Sequence, residues 1–317
     1  MAAIEILGLE KTYSVGFWRK RPKCALKPLQ LTVEEGEIFG FLGPNGAGKT
    51  TTLKMLVGLA FPTGGTARIL GMELDDPKMK AQIGFLPEQP YFYDYLTGRE
   101  LLNYYGHLSG VDTKTLSGKV DNALARVGLK DAANVQLRKF SKGMLQRAGI
   151  AQAILHDPKV VFLDEPMSGL DPVGRREVRD IILELKNAGK TILFSTHILP
   201  DAEMLCDRVG VIAGGKLRGV GAPGAIVGVK ATGMEILFEL AEGVALPEKV
   251  RAQVTKSGAG YRMSISESEL YAAMEELRVA GARITSLAQI KPTLEDFFME
   301  LVGQDRAQAA AVEVSGK

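Results

Sequence analysis

The run Gly43-Pro-Asn-Gly-Ala-Gly-Lys-Thr50 brings glycines, a lysine and a hydroxyl together in one short loop. The spacing is G-x-x-x-x-G-K-[ST], in which backbone N–H groups surround phosphate oxygens and the following helix turns its positive end toward them. Lys49 then reaches the β- and γ-phosphates of a nucleoside triphosphate, and the Thr50 hydroxyl binds Mg²⁺. Gly43, Pro44, Asn45, Gly46, Ala47, Gly48 and Thr51 complete the candidate cradle. A glycine-rich turn is the plain alternative, opposed by the apolar strand before the loop and the helix after it.

Asp164 and Glu165 follow Val160-Val-Phe-Leu163, which reads as a buried strand. Ligands of parallel sheets bind at the carboxyl ends of the strands. Asp164 is therefore a candidate to hold Mg²⁺ through water, and Glu165 to polarise an attacking water. Without the phosphate loop upstream, the pair would read as a strand cap. His197 follows another apolar strand, residues 191–195. Its spacing leaves open both a structural histidine and one whose Nε2 reaches a γ-phosphate.

These groups need a scaffold, and the hydrophobic pattern supplies one. The first forty residues alternate apolar and polar, as in Leu29-Gln-Leu-Thr-Val33, the signature of half-buried antiparallel strands. Ile38 to Leu42 reads as a fully buried strand, Thr51 to Leu59 as a helix, and Tyr91 to Gly128 as helical. Within that last stretch, Thr97-Gly-Arg-Glu100 is a capping box. A helix from Pro172 through Lys186 ends at Asn187-Ala-Gly189, and residues 209–213 and 216–220 form a hairpin about Gly214-Gly215. Strand–helix alternation of this kind predicts an α/β fold with a parallel sheet covered on both faces. Composition changes near Gly221-Ala-Pro-Gly224. Beyond it, strands at 235–240, 261–266 and 283–290, a helix opened by Ser266-Glu-Ser-Glu269, and a final helix from Thr293 to Val302 predict a small α+β unit. The Ala-rich tail from Gln304 reads as frayed.

Composition narrows the partners. With 46% apolar and 24% charged residues in 317, the chain can bury a sizeable core, and its length suggests about two domains. A net charge of +2 gives no electrostatic case for nucleic acid. Cys24 and Cys206 form no metal or disulfide pattern, which favours a reducing, intracellular setting. The N-terminus lacks the features of a signal peptide, and no apolar run is long enough to span a membrane.

In chain order stand Gly43 to Thr50, Gln89 in Leu86-Pro-Glu-Gln-Pro90, Phe140-Ser-Lys-Gly-Met-Leu-Gln-Arg147, Asp164-Glu165, Ser168-Gly-Leu-Asp171 and His197. This series resembles the nucleotide-binding subunit of ABC transporters over roughly residues 1–220, and most closely those of bacterial export systems whose permease is a separate chain. The resemblance implies a P-loop NTPase with a RecA-like core, an antiparallel β-subdomain and an α-helical subdomain. Residues 1–222 would be the nucleotide-binding domain, 223–303 a small C-terminal α+β domain and 304–317 a flexible tail. It implies that two copies, or this chain and a related ATPase, pair head to tail around two ATP. Lys49 and the loop amides would hold the phosphates of one ATP, while Ser141 and Gly143 of the opposite copy contact its γ-phosphate. Glu165 would be the general base, His197 the γ-phosphate anchor, Gln89 the sensor of Mg²⁺ and attacking water, and Asp171 a link across the interface. Tyr13 falls where the family stacks an aromatic on adenine, and Phe17 and Trp18 compete for that role.

The signature departs from the family's usual LSGGQ, with Lys142 and Met144 in place of Gly and Gln, while the phosphate-contacting pair Ser141 and Gly143 is kept. Lys142 either adds charge near the neighbouring ATP or is a solvated lysine. Tyr91, Phe92, Tyr93, Tyr95, Tyr104 and Tyr105 concentrate aromatics where the family receives a permease helix, so contacts to an integral membrane permease are expected among residues 91–96. The implied location is the cytoplasmic face of the membrane. Import instead of export, a soluble ATPase acting on ribosomes or DNA, and a non-hydrolysing regulatory partner are the other readings. The lack of a fused second ATPase domain, of heptad arms and of a basic surface opposes the second; Glu165 and His197 oppose the third.

Overall fold

The computed structural model describes residues 1–16, 20–226, 233–241, 244, 246, 251, 253–258, 260–290, 294–296, 298 and 299. The chain divides into two compact units, one running from Met1 to Ile226 and the other spanning Val227–Met299.

In the first unit the alternating N-terminal segments form two long strands, β1 (Ala2–Val15) and β2 (Arg21–Glu34). With β4 (Gly64–Ile69) and β5 (Met72–Glu73) they make an antiparallel sheet of order β2-β1-β4-β5. The second sheet contains β3 (Ile38–Leu42), β6 (Ile83–Leu86), β7 (Val160–Asp164), β8 (Thr191–Thr196), β9 (Arg208–Ala213) and β10 (Lys216–Gly221), ordered β10-β9-β3-β8-β7-β6. All its pairings are parallel except the β9–β10 hairpin.

Every residue of β3, β7 and β8 is buried, as parallel strands covered on both faces must be. Their two-residue side-chain period divides the interior in two. Phe39, Phe41, Val160, Phe162 and Leu193 face a core shared with β1, β2 and the helix α1 (Lys49–Leu56). Ile38, Val161, Leu163, Ile192 and Phe194 face the opposite core. That second core is shared with α3 (Gly98–Leu108), α4 (Thr113–Arg126), α5 (Lys142–Ile154) and α6 (Pro172–Asn187). Shorter helices are α2 (Pro77–Lys80), α7 (Leu199–Leu205) and α8 (Pro223–Ile226), the last packed against α7 and β10.

Two helical expectations change. α1 stops at Leu56, short of Leu59, because the chain turns at Gly58 with φ 77°. Residues 91–97 are not helical: Leu96 and Asp94 carbonyls accept from Leu137 and Arg138 N–H at 2.8 and 2.9 Å, which holds the segment open until the Thr97–Glu100 capping box starts α3.

The second unit is an antiparallel sheet of β11 (Gly233–Glu239), β12 (Val254–Ser257), β13 (Gly260–Ile265) and β14 (Arg283–Ile290), in the order β12-β13-β11-β14. Its strand order and directions are those of a split βαβ arrangement. A Ser266–Glu269 capping box precedes α9 (Leu270–Val279), whose Ala273 and Leu277 cover Ile236, Phe238 and Met263. The predicted N-cap Thr293, residues 297 and 300–302 of the final helix, and the tail lie outside the described residues, while 294–296, 298 and 299 are helical as expected. Among the described residues, no helix is long and apolar enough to cross a membrane.

Candidate functional site

The phosphate loop leaves the carboxyl end of β3 and enters α1 at Lys49. Gly48, with φ 112°, makes that entry; a β-carbon there would also come within 2.7 Å of the Ala25 carbonyl oxygen. At Gly43 a β-carbon would strike the Ile212 carbonyl, so the loop lies flat on β9. The first turn of α1 has no side-chain cap and no acidic residue, which leaves its N–H groups and positive end to an anion. Around Gly46, by contrast, there is open space.

Lys49 is only 5% exposed, and its Nζ donates to the carbonyls of Gly43 at 2.6 Å and Pro44 at 3.3 Å. It also pairs with Glu165 Oε1 at 3.3 Å. Thr50 Oγ1 donates to Asp164 Oδ1 at 3.1 Å, so the loop and the end of β7 are tied directly. Glu165 Oε2 meets His197 Nδ1 at 2.9 Å. A carboxylate at that nitrogen requires Nδ1 to carry the proton, leaving Nε2 for a ligand. Glu165 itself has φ 50°, a backbone region rare for any residue but glycine.

Of these groups, Lys49, Thr50, Glu165 and His197 share one cleft of about 780 Å³, and Asp164 is buried outside its lining. Tyr13, Pro44, Asn45, Gly46, Gly48, Lys49, Thr50, Thr51, Glu165 and His197 line it, together with Lys23 and Glu88, which the motifs did not single out. Gly43 and Ala47 sit behind the lining, against each other and Ile212. Tyr13 is part of this lining, with Lys11 Nζ 4.9 Å from its ring centre. Phe17 and Trp18 lie outside the described residues. Gln89 is not in the lining: it is exposed, and its Oε1 accepts from the Tyr91 hydroxyl at 3.0 Å. Sequence reasoning also missed Ser195, which contacts both Asp164 and Glu165. Thr191 and Thr196 carry hydroxyls on the same strand, so nothing in the sequence marks Ser195 out.

Ser141, Gly143 and Asp171 stand elsewhere. With Lys142, Arg147, Leu170 and Gly174 they line a second cleft of about 360 Å³. Within this chain Ser141 caps α5, accepting from Met144 N–H at 3.2 Å, and Asp171 caps α6, accepting from Gly174 N–H at 2.7 Å. The Lys142 ammonium packs over Gly169.

The residues fit a magnesium nucleotide. No group of three or more His, Cys, Asp or Glu among the described residues could cage a metal. Thr50 and Asp164 offer one hydroxyl and one carboxylate, a donor set suited to Mg²⁺ held mainly by phosphate oxygens and water.

Residues 26–168 match the family described as ABC transporter. An uncharacterized ABC transporter ATP-binding protein of Synechocystis sp. is 43% identical over 298 residues, covering 93% of this chain and 83% of that protein. The chain belongs to the ABC transporter ATP-binding proteins. It is thus an ATP-binding subunit with the P-loop NTPase fold, of a family that hydrolyses ATP. The solved ATP-binding subunit of an ABC transporter superposes with TM-score 0.62 and 31% identity, over 71% of this chain and 91% of that one. The ATP-binding cassette MJ0796, solved as a dimer in a post-hydrolysis state with ADP and Pi, gives TM-score 0.63 and 25% identity, over 69% of this chain and 98% of that one.

Proposed function

We propose that two copies of this chain close head to tail around two ATP, and that hydrolysis drives a separate membrane permease, in the direction of export. One observation carries the dimer: the phosphate loop and the signature residues Ser141 and Gly143 line two different clefts of the same chain. A γ-phosphate held by Lys49 would meet a signature only from a second copy. The relative MJ0796, solved as a dimer, supports an assembly of two chains. The export direction rests on two likenesses to the ATPases of export systems with a separate permease: the signature with Lys142 and Met144, and the ending Lys291-Pro-Thr-Leu-Glu-Asp-Phe-Phe-Met-Glu-Leu-Val302.

Within each composite site, Lys49 and the loop N–H groups hold the phosphates and Tyr13 stacks on adenine. Thr50 and Asp164 would hold Mg²⁺, which would supply charge neutralisation when bound, and Gln89 would sense it. Glu165 takes the proton of the attacking water, and His197 presents Nε2 to the γ-phosphate. Gln89 must first leave the Tyr91 hydroxyl. Asp171 links the two sites across the interface. The first unit is the nucleotide-binding domain, and the second is a small C-terminal α+β domain.

A third cleft, of about 710 Å³, is the proposed seat of the permease helix. Leu59, Pro90, Tyr91, Phe92, Tyr105 and Leu108 line it. Tyr93 and Tyr95 are outside that lining, 53% and 61% exposed, and the Tyr93 ring contacts those of both Tyr95 and Tyr104. This seat puts the protein on the cytoplasmic face of the membrane.

Glu165→Gln chain, given ATP and Mg²⁺, is expected to elute as a dimer and to keep ATP affinity within about threefold, while turnover drops by a factor of about 10² or more. A monomer by light scattering under saturating ATP would overturn the closed-dimer reading. Isolation of the tagged chain from membranes, followed by identification of the co-purifying polytopic protein, tests the permease.

A further inference from the structure

We infer that Ser195 is a positioning residue for ATP hydrolysis, its hydroxyl clamping the metal-side carboxylate and the general base to one strand. This rests on the roles proposed for Asp164 and Glu165. Ser195 lies on β8 directly beside Asp164 in the parallel register, and it is fully buried. Its Oγ donates to Asp164 Oδ1 at 2.6 Å and accepts from Glu165 N–H at 3.0 Å. The Ser195 carbonyl shares that same N–H at 3.2 Å. One small side chain therefore satisfies a buried carboxylate and the backbone of the next residue at once.

The need for such a clamp is visible at both ends. Asp164 is 1% exposed, and Thr50, its other hydroxyl donor, belongs to the phosphate loop. Thr50 sits in the first turn after the phosphate loop, whereas Ser195 is held within a fully buried strand. With Oδ1 occupied by the two hydroxyls, Oδ2 is the oxygen left to face a metal-bound water. At the other end, Glu165 must keep its left-handed backbone for its carboxylate to stay between Lys49 and His197. The bond from Glu165 N–H to Ser195 Oγ opposes relaxation of that turn. An apolar residue at 195 would leave the β-sheet intact and loosen the chemistry.

The test compares Ser195→Thr with Ser195→Val in the full chain. The two side chains have nearly the same shape and differ by a hydroxyl, so their packing costs cancel. Ser195→Val is expected to lose about tenfold or more in kcat relative to Ser195→Thr, with KM for ATP within about twofold. The Mg²⁺ concentration for half-maximal ATPase should rise in Ser195→Val and not in Ser195→Thr. Equal kcat and equal Mg²⁺ dependence in the two variants overturns the inference. If neither folds, Ser195→Ala decides, with the same two readouts against wild type. Glu165→Gln is assayed alongside: full activity there would defeat the general-base reading instead, independently of Ser195.

Discussion

Lys49 and Glu165 are oppositely charged, each about 5% exposed, and 3.3 Å apart, so each is the other's compensation for burial. Removing one partner of a buried pair leaves an uncompensated charge, at a cost of about 3 kcal/mol. Lys49→Ala should therefore lower unfolding stability without nucleotide as well as abolish ATP binding. Adding Glu165→Gln should recover much of the stability and none of the binding. Urea titrations of the two singles and the double close the cycle; additive losses would mean that the pair is not coupled. Much at this scale was legible in the sequence. Gly43 to Thr50, Asp164, Glu165 and His197 are tied to strand ends, and strand ends follow from apolar runs. Ser195 and the Tyr91–Gln89 bond were not legible. The first depends on the register of two strands distant in sequence, and the second on side-chain rotamers.

At the scale of elements, α5 and β6 meet at His156, just beyond the α5 C-terminus. Its Nε2 lies 2.9 Å from the Ile83 carbonyl of β6, and its buried Nδ1 has no hydrogen-bond partner among the described residues. Burial holds its pKa below the ordinary value of 6.5. The native ring stays neutral where the unfolded ring has begun to bind a proton. Stability should thus fall as pH drops below about 6.5, until the lowered native pKa is reached. His156→Phe should flatten that part of the slope, read as Tm between pH 7.5 and 5; an unchanged slope would assign the acid sensitivity to other groups. The same scale shows why residues 91–97 misled. Their local pattern suits a helix, while backbone pairing with residues 136–138 is invisible to local propensity. Elements with strong signals at both ends, such as α6 between Asp171 and Gly189, were read nearly to the residue.

For the whole molecule, the second unit has a hydrophobic core of its own around Ile236, Phe238 and Leu277. A chain ending after Ile226 should fold, and bind ATP with a Kd within about twofold of the full chain. Calorimetry of the full chain should show a transition missing from the shorter one. Loss of soluble protein or of nucleotide binding on truncation would mean that the units depend on each other. The sequence announced this unit through three strands and a capping box, but not β12, whose four residues are mostly exposed and give no periodic signal. The order of strands in either parallel or antiparallel sheet was likewise beyond local reading, because it is fixed by crossovers and long-range packing.

The separation of the two clefts also dictates a rate law. If each catalytic centre needs surfaces from two molecules, hydrolysis per molecule is set by mass action as well as by chemistry. Diluting the purified chain below the dissociation constant of its dimer should slow turnover per chain in proportion to concentration, while ATP binding to single chains persists. A permease that presents two chains side by side would remove that dependence, so the membrane partner would act first as a device for raising local concentration.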